Sequence, residues 1–299
     1  MLPILIVCYL RPKKLQSLLE SFIGSKRRFF IFIDRAMGPY ADLNKQVFNV
    51  AKNYQSILDI EIHWTDTHVG VAQGVPTALD WAFSYVDNLL ILEDDCFLSK
   101  YSLEFFENQK FHVGNESIVM VSGSSPWTVN ENLNEQVPLT LSSYPLIWGW
   151  STNRTCWTKI RTLINTKTPH LRVLRNLLVN PHKAKEICFF YAAVIRVNKK
   201  TLAAWDSPVA LEMLLSGYKS IISNVNLIEN SGQDDIASHY SNPDLSLNQI
   251  VSSTEDVLAS ETLDTSKFWS KKTDSEIENK IYNLKNRHLL SPIKAIIGL

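Results

Sequence analysis

The sequence lacks the short motifs that identify most nucleotide and hydrolase sites. It has neither G-x-G-x-x-G nor G-x-x-x-x-G-K-[ST], which argues against a dinucleotide dehydrogenase and against a P-loop enzyme. It also lacks G-x-S-x-G, so an α/β-hydrolase has little support. No stretch approaches the ~20 apolar residues that a membrane-crossing helix needs. Function therefore has to be inferred from other patterns.

Cysteine is scarce, and charge of either sign is not in excess. Cys8, Cys96, Cys156 and Cys188 lie far apart and have no metal-ligand spacing. They indicate reduced thiols in a reducing, cytoplasmic compartment rather than a disulfide scaffold. Lys plus Arg and Asp plus Glu both number 30, so the net charge of zero points to no partner. Hydrophobic residues make up 45% of the 299, as in a soluble globular protein.

The first 125 residues alternate between strand and helix patterns. Strands are predicted at 2–8, 28–34, 57–64, 89–93 and 117–121, and helices at 12–22, 42–54, 73–86 and 99–109. The opening apolar run is interpreted as a first strand rather than a signal peptide. Continuous apolar strands separated by helices predict an α/β fold, with a mostly parallel sheet covered by helices on both faces. Ligands of such folds bind at the carboxyl ends of the strands.

The second half is less regular. Helices are predicted near 151–163, 170–179, 184–204, 206–216 and 275–286, and a strand pair near 220–228. We expect one domain over 1–250, divided into a ligand-binding half at 1–125 and a second half at 126–250. Residues 251–299 are expected to form a helical C-terminal extension.

An apolar strand pattern at 88–92 ends in three consecutive carboxylates, Glu93, Asp94 and Asp95. Negative charge clustered at the tip of a buried strand is costly unless a cation lies there. Mg²⁺ and Mn²⁺ prefer oxygen ligands and often bridge a carboxylate to phosphate oxygens. The alternative is an acidic surface turn that closes the strand.

Together with this acidic triplet, five further elements resemble the GT-A glycosyltransferases in residue type and order. Within that family they are most similar to the N-acetylglucosaminyltransferase type that starts complex N-glycans, and to its bacterial relatives. The resemblance covers about residues 3–240. The five elements are 7–12 (VCYLRP), 32–34 (FID), 68–70 (HVG) with Val75 and 78–81 (ALDW), 147–150 (IWGW), and Trp205-Asp206 with His239.

The resemblance implies a nucleotide-sugar site and a Mn²⁺ or Mg²⁺ ion. Asp95 would be the direct metal ligand and His239 a second metal-side residue, although a loop histidine without such a role is an alternative. Arg11 would lie near the donor diphosphate and Asp34 near the base or ribose. The full set implied for the donor is Arg11, Asp34, Gly70, Val75, Glu93 and Asp94.

The resemblance also implies an acceptor side. Asp206 would be the general base, since an acceptor hydroxyl needs a carboxylate to take its proton. A simple helix-capping role is the alternative for Asp206. The tryptophans are candidates for stacking on an acceptor sugar, with core packing as their alternative: Trp127, Trp148, Trp150 and Trp205.

These implications describe a metal-dependent, inverting transfer of a sugar, with UDP-N-acetylglucosamine as the expected donor. The acceptor would be a glycan or a lipid-linked molecule of surface polysaccharide synthesis. One rival is a nucleotidyltransferase of similar fold, although residues 9–14 (YLRPKK) stand where its glycine-rich loop would be. The other is a catalytically inactive glycan-binding protein derived from a glycosyltransferase.

One stretch of the chain is basic and free of acids. Between residues 136 and 185 no Asp or Glu occurs, while the cations are Arg154, Lys159, Arg161, Lys167, Arg172, Arg175, Lys183 and Lys185. Within it, 170–179 places Leu171, Leu174, Leu177 and Leu178 on one side of a helix. Such helices can lie on anionic membranes, here the inner face of the plasma membrane. A core-packed helix or an anionic acceptor are alternatives, and no recognition motif favours nucleic acid.

Overall fold

The structure is a computed structural model, and it describes residues 1–115, 117–125, 139–165, 170–223, 226–232, 274–275 and 277–278. The strands are β1 Ile4–Cys8, β2 Arg28–Ile33, β3 Asp59–Trp64, β4 Asn88–Glu93, β5 Cys96–Leu98, β6 Ile118–Ser122, β7 Leu139–Ser142, β8 Trp150–Asn153, β9 Lys219–Ser223 and β10 Ile228–Asn230. The helices are α1 Pro12–Glu20, α2 Ala41–Tyr54, α3 Val71–Ala82, α4 Ser102–Gln109, α5 Arg154–Asn165, α6 His170–Val179, α7 Ala184–Asn198 and α8 Asp206–Ser216.

Eight of the described strands form one mixed sheet in the order β3-β2-β1-β4-β8-β6-β9-β7. The pairs β3–β2, β2–β1, β1–β4 and β6–β9 are parallel. Strand β8 is antiparallel to both β4 and β6, and β7 is antiparallel to β9. Strands β5 and β10 form a separate antiparallel ribbon. The predicted α/β, Rossmann-like fold with a mostly parallel sheet is therefore confirmed.

The central strands are buried on both faces. Every side chain from Phe29 to Ile33 in β2 is 0% exposed. Because successive strand residues point to opposite faces, this pattern requires a covering layer on each side of the sheet. The alternating helices of the first 125 residues supply that apolar cover, including Leu15, Leu18 and Leu19 of α1 and Ala78, Leu79 and Ala82 of α3.

A charged cluster closes the amino ends of β1 and β2. Glu107 of α4 accepts hydrogen bonds from the Leu2 N–H at 2.6 Å, from Lys110 Nζ at 2.7 Å and from Arg27. Arg27 Nη1 also donates to the Leu2 carbonyl at 3.0 Å. Burial alone would raise the pKa of Glu107, but the hydrogen bonds from Lys110, Leu2 and Arg27 outweigh it and lower the pKa to about 2. We call these residues the amino-edge cluster.

Strand β8 is the main departure from the predicted elements. The sequence predicts a helix from residue 151, but Trp150–Asn153 is a strand inserted between β4 and β6, and the helix begins at Arg154. Ser151 and Thr152 are buried there, so their polar side chains concealed the strand. The two strands predicted near 220–228 are present as β9 and β10, but they do not pair with each other, since β9 pairs with β6 and β7 while β10 pairs with β5.

A second apolar cluster lies between α6, α7 and α8. Its buried members include Tyr144, Ile187, Phe190, Leu211 and Ile277. The described residues near 274–278 also bond to this region, where Ser142 Oγ and the Ser143 N–H both donate to Asp274 Oδ1 at 2.9 Å. The rest of the predicted extension at 251–299 lies outside the described residues.

Three of the four leucines on the predicted face of α6 do not pack on the protein. Val173 is buried, and Arg172 donates to both Glu212 carboxylate oxygens at 2.7 and 2.8 Å. Leu171, Leu174 and Leu178 are exposed instead. None of the described helices is long and apolar enough to span a bilayer.

Candidate functional site

The carboxyl ends of three neighbouring strands gather the predicted donor-site residues. In the parallel register Cys8 lies beside Ile33, and Val7 lies beside Glu93. The residues that follow these positions therefore meet at one edge of the sheet. We call this edge, with Arg11 and Glu93-Asp94-Asp95, the carboxyl-edge cluster.

Arg11 is the cation at the centre of the carboxyl-edge cluster. Its Nη1 lies 2.7 Å from Asp95 Oδ2 and 3.3 Å from Asp94 Oδ1. Its Nη2 donates to the Gly232 carbonyl at 3.3 Å. The Asp94 and Asp95 side chains are 5% and 6% exposed, so water screens these contacts little.

The carboxylates exceed the positive charge that Arg11 supplies. Burial raises the pKa of Glu93 to about 8, and the negative charges of Asp95 and Asp94 add to the shift. Burial and the charge of Asp95 likewise raise the pKa of Asp94 to about 7, although Arg11 opposes that rise. A further cation at this edge would therefore be favourable.

The segment after β10 closes over Asp95. The Ser231 N–H donates to the Asp95 carbonyl at 2.9 Å, and Lys14 Nζ donates to the Ser231 carbonyl at 2.5 Å. A Cβ on Gly232 would lie 2.3 Å from Asp95 Oδ2, so a side chain there would displace the Asp95 carboxylate. Lys14 and Gly232 were not predicted as site residues, because their contacts join positions more than 130 residues apart.

Asp34 organises the loop before α3. Its Oδ1 accepts from the Val69 N–H at 2.8 Å, and its Oδ2 accepts from the Gly70 N–H at 2.9 Å. His68 Nδ1 lies 3.0 Å from Asp34 Oδ2, and the His68 ring stacks on Tyr9 with centroids 5.2 Å apart. Asp34 and Gly70 are thus brought together at the predicted edge, where contact of Asp34 with a base or ribose stays a prediction.

Two further residues of this edge have internal roles. Val75 is 6% exposed and belongs to the core, so it shapes α3 rather than presenting a surface to a ligand. Asn44 is fully buried and was missed from sequence; its Nδ2 donates to the Tyr9 carbonyl at 2.7 Å and to the Asp34 carbonyl at 2.8 Å. It ties the ends of β1 and β2 together.

Asp206 lies at the first residue of α8, where the sequence placed it. Its negative charge is the smallest of the causes that shift the pKa of Glu93, and it raises that pKa. A pair of stacked tryptophans connects the start of α8 to the strand that ends in Glu93. Trp205 stacks on Trp150 with ring centroids 5.8 Å apart, and Trp150 pairs with Ile91 of β4, the strand that ends in Glu93.

The described tryptophans therefore divide into two groups. Trp150 and Trp205 are 2% and 4% exposed, so they pack the core, and their predicted acceptor contact does not fit this burial. Trp148 is half-buried and keeps an accessible surface. Trp127 and His239 lie outside the described residues.

Gly149 makes the tight turn between Trp148 and Trp150. Its φ of +64° favours glycine, and a Cβ there would lie 2.6 Å from Ile228. A side chain at this position would therefore clash with Ile228.

The possible metal ligands at this edge suit an ion that takes only some of its ligands from the protein. Within the described ranges, no three His, Cys, Asp or Glu side chains are arranged to share an ion, so a closed protein cage does not fit. Mg²⁺ commonly uses one or two carboxylates and takes its other ligands from substrate phosphates and water. Asp95, with its hard oxygens in a surplus of negative charge, fits that arrangement.

No protein-family model and no curated protein matches the chain. Solved structures do match, among them the apo form of the glycosyltransferase GlyE from Streptococcus pneumoniae TIGR4. That likeness has a TM-score of 0.32 and 10% sequence identity, and it covers 75% of this chain and 55% of that chain. The match thus spans little more than half of that structure's length. At this TM-score the likeness adds nothing to the fold described above.

Proposed function

We propose that the chain is a glycosyltransferase that uses a nucleotide-sugar donor. The observation that carries the proposal is the carboxyl-edge cluster, in which Asp94 and Asp95 contact the Arg11 guanidinium at the end of a central strand, directly after Glu93. Three carboxyl groups beside one guanidinium are favoured in their charged forms only when a further cation joins them. The location is the edge at which open α/β sheets bind ligands.

Asp206 is the proposed general base. A carboxylate here would accept the proton of the acceptor hydroxyl as the new glycosidic bond forms. It lies at the N-terminus of α8, where the helix dipole stabilises its charged form. A single base opposite the leaving group gives inversion at the anomeric carbon. Trp150 and Trp205 act on this step only by positioning Asp206.

Asp95 would hold a Mn²⁺ or Mg²⁺ ion, and such an ion, when bound, supplies positive charge that stabilises the leaving diphosphate. Among the described residues, Arg11 contacts Asp95 and Lys14 contacts the segment that covers it. Arg11 would orient the diphosphate. Asp34 would fix the 68–70 loop that borders the donor, and Glu93 and Asp94 would face its ribose or sugar.

The finer assignments follow the resemblance to the N-acetylglucosaminyltransferase type. UDP-N-acetylglucosamine is the proposed donor, and a glycan or lipid-linked molecule of surface polysaccharide synthesis is the proposed acceptor. Trp148 is the described aromatic residue that would stack on the acceptor sugar.

Calorimetric titration with UDP-N-acetylglucosamine, with and without Mn²⁺, tests the proposal. The wild-type protein should bind the donor in a Mn²⁺-dependent way, and Asp95→Ala should abolish that dependence while the protein stays folded. Asp59→Ala is the matched control, since Asp59 is exposed and begins β3 at the opposite edge. Metal-independent binding that Asp95→Ala leaves unchanged would contradict the metal role.

Product analysis separates the rivals. Release of UDP with transfer of the sugar supports the glycosyltransferase. Formation of a nucleotide-sugar from a nucleoside triphosphate and a sugar phosphate would indicate the nucleotidyltransferase. Glycan binding without donor turnover would indicate the inactive glycan-binding protein.

A further inference from the structure

Helix α6 exposes a stripe of leucines to solvent. Leu171, Leu174 and Leu178 are 83%, 56% and 76% exposed, and Val179, at the end of the helix, is 68% exposed. The leucines are three and four residues apart, so they lie on one face of the helix. Exposed apolar side chains that are contiguous, rather than scattered singly, mark interaction surfaces. We call these three leucines the α6 stripe.

The opposite face of α6 already packs on the protein. Val173 is 4% exposed, and Arg172 holds Glu212 of α8 at 2.7 and 2.8 Å and Ser216 Oγ at 2.9 Å. A bidentate arginine–carboxylate pair fixes orientation as well as contact. The α6 stripe is therefore presented outwards by a helix whose inner face is fixed.

The charges carried by α6 itself have one sign. Arg175 is exposed on the same side of the helix and forms no ion pair within the described ranges. Arg172 does not contribute to this surface, since Glu212 neutralises it. No acidic residue occurs from 136 to 185, so neither α6 nor its connection to α7 carries a charge that would repel an anionic surface.

We propose that the α6 stripe docks the protein on an anionic lipid bilayer. Leucines can enter the boundary between headgroups and acyl chains, while Arg175 contacts anionic headgroups. The proposal does not depend on the proposed reaction, and its readout is lipid binding alone.

Charge argues against two protein occupants of this surface, the last segment of the chain and a second copy. Residues 279–299 are apolar in part, but they too lack acids and carry Lys280, Lys285, Arg287 and Lys294. They would therefore bring positive charge to Arg175. A second copy docked through the same face would place one Arg175 near another, because a two-fold contact uses the same patch on both subunits. An anionic bilayer, by contrast, would bring negative charge to Arg175.

Flotation with phosphatidylcholine vesicles that contain or lack phosphatidylglycerol tests the proposal. The full chain should float with the anionic vesicles at low salt and much less at high salt, since the Debye length falls as salt rises. Leu171→Ser/Leu174→Ser/Leu178→Ser should weaken binding by about tenfold or more, through loss of the apolar contact. Arg175→Gln should weaken binding about fivefold, which corresponds to about 1 kcal/mol.

Ile57→Ser/Phe111→Ser is the matched control. These residues are 54% and 73% exposed but lie outside α6, so their replacement should leave vesicle binding unchanged. The proposal is overturned if the wild-type protein ignores anionic vesicles at low salt, or if the leucine variant binds them as well as the wild type does. Sedimentation that depends on protein concentration and is lost in the leucine variant would identify a second copy as the occupant, and would also overturn it.

A fluorescent label at Leu174→Cys gives a second, local measurement. The native cysteines Cys8, Cys96, Cys156 and Cys188 are all buried, so labelling should favour position 174. The label should shift to the blue on addition of anionic vesicles and not on addition of neutral ones. An unchanged spectrum in the presence of bound vesicles would show that another part of the chain contacts the lipid, and would overturn the proposal.

Discussion

The two arginine–carboxylate clusters at opposite edges of the sheet differ in their charge balance. In the amino-edge cluster one carboxylate, Glu107, accepts hydrogen bonds from Arg27, Lys110 and a backbone N–H, and these lower its pKa to about 2. In the carboxyl-edge cluster Arg11 faces Asp94 and Asp95, and the pKa of the neighbouring Glu93 rises to about 8.

The difference separates a structural ion cluster from a candidate site. The amino-edge cluster satisfies its carboxylate within the protein, and so it stabilises the fold without needing a ligand. The carboxyl-edge cluster holds more carboxyl groups than Arg11 can keep charged, and a ligand's cation would favour their charged forms. Perturbed carboxyl groups of this kind concentrate at functional sites.

The largest expected effect is on the rate of sugar transfer, which should depend on the carboxyl edge and not on the amino edge. Asp206→Asn should lower sugar transfer by about 100- to 10,000-fold, because an amide cannot take the acceptor proton. Donor affinity measured by calorimetry should be retained. Glu107→Gln is the control and should transfer sugar at the wild-type rate below its unfolding temperature. Transfer within about threefold of wild type in Asp206→Asn would assign the base elsewhere and leave Asp206 as a helix cap.

A smaller effect, on stability, should appear at the amino edge. Arg27→Met removes the donor to both Glu107 and the Leu2 carbonyl, and should lower the free energy of unfolding by about 1–3 kcal/mol. Donor binding by the folded protein should not change. Denaturant titration measures the loss. Arg28→Met is the control, because Arg28 is half-exposed and makes weaker contacts: an ion pair with Glu61 at 3.8 Å and cation–π contacts with Phe30 and Tyr85. Equal losses in both variants would remove the structural role of Arg27.

The smallest expected change is in the pH dependence of stability, and it concerns Glu107 of the amino-edge cluster. The Glu107 pKa is lowered to about 2 in the folded protein, so this carboxylate stabilises the fold above its unfolded pKa. Its contribution should be lost as pH falls from about 4.3 towards 2. Glu107→Gln should therefore be less stable than wild type at neutral pH, and the difference should shrink through that window. A constant difference across the acid range would contradict the lowered pKa.

Local patterns predicted the elements that depend on local sequence. The alternation of apolar runs gave β1 to β4 and the helices between them, and helix Asp206–Ser216 was predicted at its observed bounds. The position of Glu93-Asp94-Asp95 at a strand end followed from one run of residues. Each of these features depends on neighbours within a few positions.

Features that depend on contacts between residues far apart in the chain were not predicted. Strand β8 forms because buried Ser151 and Thr152 pair between β4 and β6, and no apolar period marks them. The burial of Trp150 and Trp205 depends on their stacking across 55 positions, so either core or surface was compatible with sequence. Gly232 belongs to the site through its carbonyl, which accepts from Arg11, and through its close approach to Asp95.

The closure of the carboxyl edge by residues 231–232 has a consequence for how the protein is made. Arg11 bonds to the Gly232 carbonyl across 221 positions, so the edge is completed by a late part of the chain. At ribosomal speed, the 107 residues from 125 to 232 take about 5 to 20 s to synthesise. During that interval the early strands and their carboxylates can assemble without Gly232. The first half of the sheet is therefore expected to fold during translation, and the candidate site to mature last.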